Sequence, residues 1–135
     1  MFPDWLACIS EWIRTHTAVT ALLTDRFYTE LPAAKTFPLG RIIHLTDPPV
    51  VPHVHHLVDG LFQVDVWGGS KAMTWTIAET VRHRLHTELV GAHDLTAGSF
   101  VATGVTPGGI RRDNETIEGS ARPKASFDVT ITLHP

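Results

Sequence analysis

The sequence is poor in several things that common activities require. Cys8 is the only cysteine in 135 residues, so no disulfide can form within the chain. That scarcity fits a reducing compartment, and a single Cys on an apolar helix reads as a small buried hydrophobe. Basic residues are few and scattered: 11 Lys and Arg stand against 14 Asp and Glu, for a net charge of -3. DNA binding by phosphate neutralisation needs clustered cations and is thereby excluded as the main activity. No stretch approaches the ~20 apolar residues that span a bilayer, and no basic region precedes an apolar run at the start, so neither membrane insertion nor secretion is expected. Motifs of catalysis are missing too. There is no G-x-S-x-G elbow, no phosphate-binding Gly-rich loop and no H-E-x-x-H helix.

What is present is foldable. Hydrophobic residues make up 43% and charged residues 19%, far from the composition of disordered chains, and the length suits one domain over residues 1–135. Leu6, Ile9, Ile13, Leu22 and Leu23, with Trp5, Trp12 and Val19 seven apart, repeat with helical period. Low helix propensity over Thr15-His16-Thr17 predicts a break there, with Thr17 capping a second short helix that ends near Thr24. Strands are expected at Phe27-Tyr28, Pro38 to Thr46, Leu57 to Trp67 and Phe100 to Thr106, with pairing resumed over Ile110 to Asn114 after a Pro107-Gly108-Gly109 turn. Ser70 is a good N-cap for a long helix carrying Met73, Ile77, Val81, Leu85 and Leu89 every fourth residue, five side chains expected in the core. Gly119 to Lys124 reads as a polar loop. Ala125, Phe127, Val129, Ile131 and Leu133 then alternate with polar residues in a closing strand. The order predicts an α+β fold: an antiparallel or mixed β-sheet with two main helices packed on one face.

Nine histidines raise the question of metal. His53 and His55 share a face of an extended segment with His56 beside them, but no Cys lies nearby and Asp59 is the nearest acid, so a solvated loop is the simpler reading. His83 and His86 lie off the apolar stripe among Arg82, Arg84 and Glu88 and read as a solvated face. Gly68-Gly69-Ser70 offers outward N–H groups to an anion, although turn and cap chemistry accounts for it. Asp65 and Asp128 fall on polar strand faces and are expected to be solvated or at an interface. Trp67, Leu61, Trp75 and Trp12 sit where core is not expected, as subunit contacts or as the rim of the core.

Ala18 to Leu23, Asp25-Arg26-Phe27-Tyr28, Phe37-Pro38-Leu39 and Leu61-Phe62-Gln63-Val64-Asp65-Val66-Trp67 occur in this order. The long helix and Arg111-Arg112-Asp113 follow before the closing strand. Together they resemble the tail terminator, or tail completion, proteins of long-tailed bacteriophages over nearly the whole chain; the Pro- and His-rich stretch from Asp47 to His56 departs from that pattern. The resemblance implies an α+β structural protein, not an enzyme and without a cofactor. It implies a homo-hexameric ring on the head-proximal end of the virion tail, assembled in the host cytoplasm, that stops tube polymerisation and joins the head connector protein. Its partners would be copies of itself, the tail tube protein and the connector, with DNA passing through but not bound specifically, and no membrane. The segments expected to make those contacts are the 47–56 loop, with Pro49, Val51, His53 and His55, and the Gly108 to Lys124 region, with Arg111, Arg112, Asp113, Arg122 and Lys124. Asp65 and Trp67 join them. The alternatives are another head-tail connector or head-completion protein and a small metal-dependent hydrolase built on His53, His55 and His56.

Overall fold

The computed structural model describes residues 4–46 and 58–134. Asp4 caps α1 (Trp5–Thr15) by accepting from the Ala7 N–H at 3.1 Å. The expected break falls at His16, whose ψ of 130° ends α1 and starts α2 (Thr17–Leu23). His16, rather than the expected Thr17, is the cap: its Nδ1 accepts from the Ala18 N–H at 3.2 Å. That tautomer leaves Nε2–H to donate to Glu88 at 2.7 Å, which pins the helix pair to the far end of α3.

The strands are β1 (Phe27–Tyr28), β2 (Leu39–Thr46), β3 (Val58–Trp67), β4 (Gly91–Leu95), β5 (Gly98–Pro107), β6 (Arg111–Ile117) and β7 (Ser120–His134), with α3 (Lys71–Glu88) between β3 and β4. They form one sheet in the order β1-β2-β3-β7-β5-β4, with β6 pairing β7 beyond the point where β5 ends. Among the described residues, only β1 and β2 run parallel. The expected mixed α+β sheet is observed, and the break at His16 gives the expected second short helix beside the two main ones.

Alternation decides the core. Phe62, Val64 and Val66 of β3 and Ala125, Phe127, Val129, Ile131 and Leu133 of β7 point to one face, where they pack with Ile9, Ile13, Val19 and Leu23 of the first two helices and with α3. Ser70 caps α3 as expected, accepting from the Met73 N–H at 3.1 Å. Ile77, Val81, Leu85 and Leu89 are buried, but Met73 is 47% exposed. A four-residue step overshoots the helical turn by about 40°, so a stripe of four such steps drifts off the sheet. Thr74 and Ala78 fill the space instead.

Two strand segments differ from the sequence reading. The chain turns straight from α3 into β4, a strand unexpected in the Gly-Ala-His-Asp-Leu run, and the two-residue turn after it is tied down by Glu11. That carboxylate accepts from the Thr96 and Ala97 N–H groups at 3.0 and 2.7 Å, which holds its pKa below the usual Glu value. Residues 120–124, expected to be loop, are the start of β7. Pro123 is tolerated there because its C=O accepts from the Gly68 N–H, on the side away from β6, so the missing N–H costs the β6 ladder nothing.

Candidate assembly surface

β6 and β7 meet in a two-residue turn at Glu118 and Gly119, whose φ values of 53° and 81° are those of a type I′ hairpin. β3 ends where Trp67 pairs Lys124, so beyond the Gly68 N–H to Pro123 C=O bond residues 114–117 and 120–123 pair, among the described residues, only with each other. The hairpin therefore projects past the sheet, and it gathers Arg111, Arg112, Asp113, Arg122 and Lys124 on one element.

On the face away from the helices, the odd residues of β3 meet the even residues of β7. Trp67 is 1% exposed and Asp65 is fully buried, which corrects the expectation of a solvated polar face. With Leu39 they form a small second cluster that is separate from the helix-side core. Trp67 Nε1 donates to Glu115 at 2.5 Å, and the Arg41 and Lys124 cations lie 5.1 and 5.2 Å from its ring centroid. Asp65 accepts from Arg41 (2.7 Å), Gln63 (2.7 Å) and Ser126 (2.7 Å). Burial alone would raise its pKa, but those three hydrogen bonds outweigh it and hold the carboxyl below the ordinary Asp value. The chain between β1 and β2 straps this end down, with Arg122 over the Phe37 ring at 4.2 Å and Lys35 3.8 Å from Glu118.

On the helix side, Arg112 stacks on Trp75 of α3 at 3.9 Å from the ring centroid. Between them opens a cleft of about 240 Å³ lined by Lys71, Thr74, Trp75, Arg112, Asn114 and Pro123, among others. Among the described residues, β6 pairs on one side only. The Pro123 C=O points away from β6, so its partner Asn114 also directs its N–H and C=O away from β7, as do Arg112 and Thr116 by alternation. Asp113 Oδ1 accepts from the Asn114 N–H at 2.7 Å and so covers one donor of this open edge.

Pro49, Val51, His53 and His55, with His56, lie outside the described residues. Among the described residues no three His, Cys, Asp or Glu side chains are grouped to hold a metal ion, and His83 and His86 are exposed on α3. No helix among them is long and apolar enough to cross a membrane. The sequence reading missed Glu115, Gln63 and Arg41. Gln63 and Asp65 share a strand face, a signal that was available, whereas the reach of Glu115 to Trp67 depends on a pairing 48 residues distant and had none.

No protein family matches the chain, and no curated protein matches it in sequence. The fold is similar to that of a chain in the virion of a native gene transfer agent particle, with a TM-score of 0.57 and 12% identity over 98% of this chain and 99% of that one. At that identity the likeness is one of fold.

Proposed function

We propose that this chain is a structural virion protein that closes the head-proximal end of a phage tail tube as a homo-hexameric ring, ending tube polymerisation and offering the surface for head-tail joining. The observation that carries the reading is the fold likeness to a gene transfer agent virion chain, which extends over essentially the full length of both chains. The working unit is one α+β domain acting by assembly and without a cofactor. Its partners are further copies of itself, the tail tube protein and the head connector, and it joins the tail after folding in the host cytoplasm. The projecting β6–β7 hairpin supports this reading, because an open strand edge with fixed charges is a natural joining element. A chain of net charge -3 lets DNA pass a ring without holding it.

Mixing the purified protein with naked tail tubes and, separately, with DNA-filled heads tests the assignment. Rings seen by negative stain on tube ends are the expected result. Binding to heads alone makes it a head-completion protein instead, and binding to neither overturns the reading.

A further inference from the structure

We infer that a second copy of this chain docks at the cleft between the start of α3 and β6, setting its own Asp25–Glu30 end against Arg112 and Lys71. The inference rests on the self-assembly proposed above and names the surfaces that carry it.

Of the three cations lining the cleft, Lys124 is paired with Glu115 at 3.7 Å and the other two, Arg112 and Lys71, have no acidic partner among the described residues. Asp113, the acid at the cleft, is turned to the Asn114 N–H. The Arg112 guanidinium carbon sits 3.9 Å over the Trp75 ring centroid and no hydrogen bond occupies its N–H groups among the described residues, so the fork is available to receive a carboxylate in bidentate fashion. Next to it, β6 still offers outward backbone groups.

The acidic counterpart lies at the other end of the same sheet. β1 is flanked by Asp25 and Glu30, both exposed and without an ion pair among the described residues. The guanidinium of Arg26 between them is turned inward, its Nε donating to the Pro38 C=O at 2.8 Å. Arg14 is the basic side chain that shares a groove with Glu30, and Glu11 in that groove is already occupied by the β4–β5 turn.

Register supplies the remaining argument. One cross-strand row runs Tyr28, Arg41, Asp65, Ser126, Arg111, and the next begins at Phe27 and ends at Arg112. The acidic and basic ends thus stand at the same height along the strands, separated by four strand spacings, roughly 19 Å. A head-to-tail contact closes into a ring only when successive copies are related by rotation without a rise, and otherwise builds an open filament. Two complementary ends on one row meet that condition for an axis along the strands.

Charge exchange on the full-length protein, followed by light scattering and negative stain, tests the pairing. R112E is expected to weaken ring formation at least about tenfold, as is K71E, and E30R to weaken it comparably. R112E combined with E30R is expected to restore rings, with circular dichroism confirming that every variant is folded. Rings formed by R112E and K71E as readily as by the natural chain overturn this inference and leave the proposed function standing. Loss without recovery in the double variant overturns the assigned contact. A natural chain that stays monomeric at every concentration, alone and on tube ends, overturns both.

Discussion

Strands β3 and β7 are buried along their helix-side face and, at the hairpin end, on the opposite face as well, by different chemistry. Toward the helices, Phe62, Val64, Phe127 and Val129 pack into the apolar core, with Phe62 also stacked on the His44 ring of β2, and alternation alone assigns them. Away from the helices, at the end where the hairpin leaves the sheet, Asp65 and Trp67 are buried just as deeply, but by hydrogen bonds, cations over a ring and a strap from the β1–β2 connection. A period-2 pattern identifies which residues share a face. It does not say whether that face is wet, because a segment distant in the chain can cover it.

Variants on the two faces separate these mechanisms. Phe127→Ala on the helix side is expected to cost most, about 3–5 kcal/mol in denaturant unfolding, since it leaves a cavity in the strand paired on both sides. Asp65→Ala tests the other face and is expected to cost about 3 kcal/mol, because Arg41 loses its buried partner. Its pH signature distinguishes it from a packing loss. The folded pKa of Asp65 lies below an unfolded value of about 3.9, so its contribution is complete above that pH and is lost as pH falls toward the folded value. Unfolding followed from pH 6 downward should therefore show a steeper loss in the natural chain than in the variant, while equal slopes would assign the Asp65 effect to packing.

At the β1 end, Gly40→Ala brings a Cβ to 2.8 Å from the Phe27 ring and is expected to cost about 1–3 kcal/mol in thermal unfolding. Ser70→Ala removes the α3 cap and should cost about 1 kcal/mol by the same measurement. Arg112→Ala should change stability least, within about 0.5 kcal/mol, since its side chain is exposed and stacks on a single ring. A large loss there would make the hairpin part of the fold's support rather than a free joining surface.

Much of the fold was legible in the sequence. Alternation in β3 and β7, the Ser70 cap and the break near His16 are local features, and each was found where local chemistry put it. β4 was not legible because Gly-Ala-His-Asp-Leu has little strand propensity of its own and is held by a turn that Glu11 clamps from α1. The β6–β7 hairpin was half legible. Arg111-Arg112-Asp113 was marked as a joining segment, but its partner 120–124 looked like loop, since strand formation at Pro123 depends on which side its missing N–H faces.

By itself the sequence determined what is set within a few residues or one periodic element: the α+β class, the Ser70 cap, the core stripe of β7, and the lack of cationic clusters and catalytic motifs. Tertiary structure alone decided that Asp65 and Trp67 are buried, that Arg112 lies on Trp75, and that an acidic and a basic end share one row of the sheet. Those facts depend on strand order and register, which are set by contacts between residues far apart in the chain and leave no mark in the local pattern.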